Sequence, residues 1–148
     1  MTTAFAAVDA LVTLIEGAMP ADVTVVDGYP GPNVPDQIVA VGGTPGPIIT
    51  WHSAPAELGS NRREENYTIA CVASVATGGE ADQERAARDA LATIVAAIEA
   101  AIYANPTLSG TVRYAQIVHG LFTGTNATTA TRGRMWTLVF NVECTARV

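Results

Sequence analysis

The chain has 148 residues, a length typical of one domain with a single hydrophobic core. Its 14 acidic and 8 basic residues give a net charge of −6, and all eight basic residues are arginines. This balance excludes the usual basic nucleic-acid-binding surface, which needs clustered positive charge. Because 49% of the residues are hydrophobic and only 15% are charged, disorder is also excluded, and part of the surface is suited to burial by partners.

The first predicted element is an amphipathic helix over residues 5–19. Its apolar residues recur at steps of three and four, and Gly17 and Pro20 end it. Acidic residues lie in and beside this stretch and no basic residue precedes it, so we interpret it as a helix of the mature protein and not as a signal peptide. No apolar run approaches the roughly 18 residues that cross a bilayer, and no membrane partner is expected. The apolar positions are Phe5, Val8, Leu11, Val12, Ile15 and Met19.

Several strands should follow this helix. Residues 23–27 form a short β-branched segment, and three prolines and two glycines make residues 28–35 a shaped loop. Residues 38–42 and 48–52 are two predicted strands, joined by a turn at 43–47. A long strand comes next, in which alternate residues share one face. The residues of that face are Tyr67, Ile69, Cys71, Ala73 and Val75.

The strongest helical pattern covers residues 80–104, with acidic residues in the first turn and Asn105-Pro106 at the end. Its predicted core stripe is Ala87, Leu91, Ile94, Val95, Ile98 and Ile102. The opposite side carries Ala92, Ala96 and Ala100. These alanines are either simple helix formers or a second packing face that contacts a neighbouring subunit.

The last third of the chain returns to strands at residues 111–121 and 135–146, the second with clear alternation. Between them, residues 123–134 are polar and rich in threonine, which predicts a long loop or an extended hairpin tip. The sequence therefore predicts one α+β domain over residues 1–148. We expect a mostly antiparallel or mixed sheet with two main helices on one face.

The sequence predicts no catalytic, cofactor or metal site. His52 and His119 have no neighbouring nucleophile or acid in a known catalytic motif, so both are interpreted as structural. Cys71 and Cys144 lack the paired spacing of a zinc site and are expected to be small buried hydrophobic residues. The glycines around residues 42–46 precede a strand and have no lysine beside them, so they do not form a phosphate-binding loop.

Charged residues cluster before the long strand, at Arg62, Arg63, Glu64 and Glu65. Adjacent strand residues point to opposite faces, so the two carboxylates do not converge as a catalytic pair would. The cluster is either a solvated group of charges or a patch of salt bridges between subunits, a role that suits arginine. The candidate interface residues are these four together with Arg132 and Arg134.

The order of several motifs resembles a known family. The motifs are the opening helix, the segments 26–30, 35–42 and 63–71, Gly78-Gly79 with Arg85 and Arg88 in the following helix, the segment 108–112, and the final strand ending at 142–147. Together they resemble the tail terminator, or tail completion, proteins of long-tailed bacteriophages with actinobacterial hosts. The resemblance covers most of the chain.

This resemblance implies a structural virion protein without catalysis or cofactor. It would assemble in the host cytoplasm as a homohexameric ring at the head-proximal end of the tail tube, and join the tube to the connector or stopper of the head. The alternatives are another neck component, such as a head-completion or stopper protein, or a tail tube subunit. A further alternative is a small-molecule-binding or hydrolytic α+β domain that uses Trp51, His52 and the Pro/Gly loops.

The net charge bears on this role. Six copies with a net charge of −6 each carry about −36, and DNA has to pass through the ring without being bound. A neutral or acidic lumen without lysine weakly repels phosphate. We therefore expect no specific DNA binding.

Overall fold

The computed structural model describes residues 2–42, 49–59, 61–78, 83–126 and 134–148. Over these residues the chain forms two helices and six strands. In chain order they are α1 (Ala4–Ala18), β1 (Thr24–Asp27), β2 (Gln37–Val41), β3 (Ile49–Pro55), β4 (Arg63–Thr77), α2 (Gln83–Ala104), β5 (Tyr114–Asn126) and β6 (Arg134–Arg147).

All six strands belong to one mixed sheet. Five of them lie in the order β1-β2-β4-β6-β5, and β3 pairs with β4 beyond the end of β2. β1 runs parallel to β2, and the other pairs are antiparallel. The two helices pack over one face of this sheet around a single core. The predicted α+β class with helices on one face is confirmed.

The strands β2 and β3 lie end to end along β4. Val41 pairs with Cys71 and Ile49 pairs with Ile69, so the two strands follow one another on the same side of β4 and do not pair with each other. Both predicted strands exist, although β3 extends to Pro55. The predicted turn at 43–47 lies outside the described residues.

The core contains the residues that the helical repeat of α2 and the alternation of β4 predicted to be buried. On α2, five of the six predicted stripe residues are buried and Val95 is half-buried. On β4, all five predicted face residues are buried. Burying a leucine or isoleucine side chain contributes roughly 1.5–3 kcal/mol, so this shared apolar layer holds the helices on the sheet. The buried residues of α1 are Ala4, Ala7, Val8, Leu11 and Ile15.

One prediction for α1 is wrong: Phe5 is 70% exposed and Ala4 is buried in its place. In the predicted helix, Phe5 lies at the edge of the apolar stripe. The first turn is oriented instead by hydrogen bonds between Thr3 and β4, which turn the small Ala4 side chain toward the sheet.

The last two strands form one long hairpin. Asn126 pairs with Arg134, so residues 123–126 continue the strand and the predicted loop 123–134 is too long at its start. Threonine is β-branched and favours strands, and on a face without helices it needs no burial. The rest of the predicted loop, residues 127–133, lies outside the described residues. Residues 111–113, predicted as strand, instead lie before β5.

Candidate functional site

The charged cluster before and at the start of β4 does not form a single patch. Arg62 and Arg63 are exposed, and Arg63 Nε donates a hydrogen bond to Ser53 Oγ at 2.9 Å. Arg113 Nη1 lies 3.5 Å from Glu64 Oε1 in a surface ion pair. Such pairs contribute at most about 1 kcal/mol, so they order side chains more than they stabilise the fold.

Glu65 behaves differently from its neighbours, because it is buried with only 4% of its surface exposed. Its Oε2 accepts hydrogen bonds from Thr3 N at 2.9 Å, Thr3 Oγ1 at 3.0 Å and Thr2 Oγ1 at 3.3 Å. The prediction that Glu65 belongs to a solvated cluster or an intersubunit patch is therefore wrong for this residue. The N-terminal turn of α1 covers it, and a carboxylate there is favoured by the helix dipole.

Two pKa values report this environment. Burial alone would raise the pKa of Glu65. Hydrogen bonds from the backbone of Thr3 and from the side chains of Thr3, Trp51 and Thr2 outweigh burial and lower the pKa below its ordinary value. Burial raises the pKa of Tyr67 to about 12, and the Tyr67 hydroxyl lies 3.1 Å from Thr3 Oγ1. This corner of the sheet therefore holds an ionised carboxylate and a neutral phenol at neutral pH.

The remaining candidate interface residue in the described part of the chain lies at the other end of the sheet. Arg134 pairs with Thr77, at the end of β4 opposite Arg63. Fourteen residue steps of a strand separate the two ends by about 45 Å. Arg132 lies outside the described residues. The described members of the predicted set thus divide between two ends of the sheet and do not converge on one site.

The sheet face opposite the helices is mostly uncharged. On β4, β6 and β5 its middle is formed by alternating small, polar and apolar side chains, with Glu143 as its acidic member away from the ends. Ser74 and Thr137 hydrogen-bond across it at 3.1 Å, and Thr145 donates to Asn66 Oδ1 at 2.9 Å. We call this surface the open face. Its described residues on these strands include Asn66, Thr68, Ala70, Val72, Ser74, Gln116, Leu121, Thr123, Thr137, Val139, Asn141, Glu143 and Thr145.

The two flanks of the sheet expose large apolar side chains that the sequence did not single out. On β5, Leu121 is 67% exposed and Phe122 is also exposed. On α2, Tyr103 is exposed beside the start of β5. On β3, Trp51 is 51% exposed. The signal that could have identified β5 is the absence of any acidic residue, lysine or arginine from residues 114–131.

Grooves run between α2 and β5. One of about 550 Å³ is lined by Ala96, Ala100 and Tyr103 of the helix and by Ile117 of the strand. A second of about 320 Å³ continues along the strand past Gly120 and Phe122. Glu99 and Ile117 line both, and we call the pair the flank groove. Ala92, Ala96 and Ala100, predicted as simple helix formers or as a second packing face, are exposed, and Ala96 and Ala100 line the flank groove beside β5.

The groups suggested for a small-molecule site are not brought together. Trp51 lines a groove of about 400 Å³ with Thr2, Arg63 and Glu65, and His52 is not among its lining residues. As neighbours on a strand, Trp51 and His52 point to opposite faces. Among the described residues, no three His, Cys, Asp or Glu side chains are grouped closely enough to hold a metal ion.

Cys71 and Cys144 are both buried and unpaired with each other, as predicted. Burial raises the pKa of each thiol to about 12, so neither is a nucleophile at neutral pH.

No protein-family model matches the chain, and no curated protein is significantly similar to it. In the described part of the chain, neither helix is long and apolar enough to cross a membrane.

Proposed function

We propose that this protein is a structural virion component, a tail terminator that forms a ring on the head-proximal end of a phage tail tube. The observation that carries the proposal is the two-sided domain, with helices on one face of the sheet and a largely uncharged open face on the other. It is supported by the order of sequence motifs that resembles this family.

A ring with the open face toward its channel suits the passage of DNA. The face presents threonine, serine and asparagine, which hold water, and its middle carries Glu143 with no arginine. Phosphates are therefore neither attracted by cations nor held by counterion release. A homohexamer would carry about −36 in total at a net charge of −6 per copy.

The candidate interface residues lie at the two ends of the sheet, which would form the two rims of such a ring. Arg62 and Arg63 lie at one end of the sheet and Arg134 at the other. With strands running along the ring axis, one end faces the tail tube protein and the other faces the head connector or stopper. A protein that stops a growing tube needs two unlike rims, because a rim that copied the tube on both sides would continue polymerisation.

An assembly role, with no cofactor or metal, is favoured over an enzyme because the grooves between α2 and β5 are open and lined mainly by apolar side chains. The second candidate function is another neck component, a head-completion or stopper protein, or a tail tube subunit. The long sheet, in which the described strands β1, β3 and β5 each pair with only one other strand, also fits these proteins.

The experiment is electron microscopy of the purified protein, alone and mixed with tail tubes assembled without it. We expect closed rings that cap one end of each tube and stop its growth when tube subunits are added. Continued growth from capped ends, or open-ended polymers of the protein itself, would favour the tube subunit. A protein that binds connectors and ignores tubes would favour the stopper.

A further inference from the structure

Three strands lie at outer edges of the described sheet. β1, β3 and β5 each pair with only one other described strand. Such an edge can take up a strand of a second chain, unless charges, prolines or a covering segment prevent the pairing. The three edges differ in these features and in their height along the sheet, and these differences decide which edges suit each other.

β3 is poorly suited to pair with β5 of another copy. It ends at Pro55, which has no N–H to donate. Through β4 and β6, β3 lies level with the start of β5, before the register shift between Ile117 and His119. There Ala115 N donates to Pro106 O at 2.7 Å, so the turn after α2 covers that part of the β5 edge.

The stretch of β5 beyond the register shift is different. Residues 120–123 contain no charged residue and no proline, and they pair with β6 without interruption. Leu121 and Phe122 within this stretch are both exposed. β6 is the only described strand that pairs with these residues.

β1 lies at the opposite edge of the sheet, level with this stretch. Paired residues form rows across the five strands, and the row that begins at Val26 continues through Ala40, Val72 and Val139 to Leu121. In the same way, neighbouring rows join Thr24 to Thr123, Val25 to Phe122 and Asp27 to Gly120. All four residues of β1 therefore have the same height in the sheet as residues 120–123 of β5.

We propose that copies of this chain join side by side, with β1 of one copy pairing to residues 120–123 of β5 of the next. The proposal rests on the ring-forming function above and names its subunit interface. When the strands run along the ring axis, rotation about that axis keeps each residue at its own height, so level residues of neighbouring copies meet. β1 runs with β2 and opposite to β4, whereas β5 runs with β4, so the joint is antiparallel.

The apolar side chains of the two edges match in this register. On the open face, the half-buried Val26 meets Leu121, which is 67% exposed in the single chain. On the helix side, Val25, which packs against the core, meets the exposed Phe122. Pairs of β-branched with aromatic or aliphatic residues are favourable neighbours across strands. The joint therefore covers the two apolar side chains that this part of β5 leaves exposed.

The remaining two pairs are compatible with the same joint. Thr24 meets Thr123, and threonine pairs are also favourable across strands. Asp27, the only charged residue of β1, meets Gly120, which has neither a charge nor a side chain to crowd it. A second copy suits these edges because every copy carries one β1 and one β5, so a closed ring leaves neither of them unpaired.

The test links the two edges by a disulfide bond. One variant combines Val26→Cys with Leu121→Cys, which meet on the open face in the proposed joint. A second variant combines Thr24→Cys with Thr123→Cys and replaces the first if that does not fold. Thermal melts show which variants are folded. Non-reducing electrophoresis after mild oxidation at high protein concentration gives the covalent species.

Two controls accompany these variants. Thr50→Cys combined with Leu121→Cys places the first thiol on the exposed part of β3 instead of β1. The wild type tests the native Cys71 and Cys144, which are buried and should form no link between chains.

We expect the double variants of β1 and β5 to give a ladder of covalent oligomers that ends at a closed ring. The β3 control should give only the small fraction of dimers that random collision produces. Mixing the single variants Val26→Cys and Leu121→Cys should give a covalent dimer much faster than either variant alone.

Three results would overturn the proposal. A ladder from the β3 control as strong as that of the β1 variants would assign the joint to β3. A covalent dimer from Leu121→Cys alone, formed as fast as in the mixture, would mean symmetric pairing of two β5 strands. Folded β1–β5 variants that give no ladder would exclude the joint altogether.

Microscopy separates this result from the proposed function. If the wild type caps tubes while the β1–β5 variants form no ladder, the edge pairing fails and the terminator role stands. If the variants form linked rings but the wild type never binds a tube, the terminator role fails and the edge pairing stands.

Discussion

Glu65 Oε2 accepts a hydrogen bond from the backbone N–H of Thr3 at 2.9 Å, which joins the start of the first helix to the start of the longest strand. Thr3 lies before α1 but its side chain does not cap the helix. Its hydroxyl is directed to Glu65 and Tyr67 instead. The carboxylate of a distant strand thus accepts from the N–H of the N-cap residue, a donor that a glutamate or glutamine in the helix's own first turn accepts in a capping box.

Glu65→Gln should therefore destabilise the protein at neutral pH by about 1–2 kcal/mol, because hydrogen bonds to a charged acceptor are stronger than those to an amide. The pKa of Glu65 in the folded protein lies below its ordinary value of 4.5. The carboxylate then contributes its full stability above pH 4.5 and loses it as the pH falls through the folded pKa. Urea unfolding from pH 7 to pH 3 should show the difference between wild type and variant shrinking.

Glu64→Gln is the matched control for this experiment. Its carboxylate is exposed and pairs with Arg113 at 3.5 Å, so we expect a loss below about 1 kcal/mol. Equal losses for the two variants at every pH would contradict the role assigned to Glu65.

The sequence predicted the elements well and their contacts less well, for a physical reason. Alternation on β4 and the helical stripe on α2 identified the core, because burial on one face requires these periods. The burial of Glu65 depends on which helix end covers it, and the exposure of Phe5 depends on the same contact. Neither contact is encoded in a local period. The collinear arrangement of β2 and β3 likewise follows from pairing with β4, whose paired residues are 30 to 38 positions away from β2 and 8 to 20 positions away from β3.

We predict that position 124 accepts only glycine without cost, because the indole ring of Trp136 lies against it. A Cβ atom built on Gly124 would lie 2.8 Å from Trp136 Cζ2, so Gly124→Ala must displace the indole ring. We expect a loss of about 1–3 kcal/mol in the free energy of unfolding, with a change in tryptophan fluorescence. Gly120→Ala is the control, since the closest atom to its Cβ would be the flexible end of Leu138 at 3.1 Å, with Phe140 Cβ and Val139 O at an ordinary contact distance of 3.9 Å. A Gly124→Ala variant as stable as Gly120→Ala would show that the ring moves without cost.

The two cysteines should be unreactive until the protein unfolds. Cys71 and Cys144 are buried, and burial raises the pKa of each thiol to about 12. Because the thiolate is the reactive form, a thiol reagent at pH 8 should modify neither residue in the native protein and both in denaturant. Mass spectrometry of the labelled protein counts the modified sites. Rapid labelling of either residue without denaturant would contradict the burial found here.

The charge of the open face gives the most direct test of a DNA channel. Glu143→Lys changes each copy by two charges on that face, and in a ring of six copies it would place a belt of cations around the channel. Asp9→Lys makes the same change on the exposed side of α1, away from the open face. We expect the Glu143→Lys assembly to bind DNA with an affinity that falls steeply as salt is raised, and the Asp9→Lys assembly to bind far more weakly. Gel-shift titrations at 50 and 200 mM salt on assembled protein make the comparison, with native mass spectrometry to show that both variants still assemble. The two variants have the same net charge, so equal DNA binding would mean that the location of the added charge does not affect binding. The open face would then not line the channel.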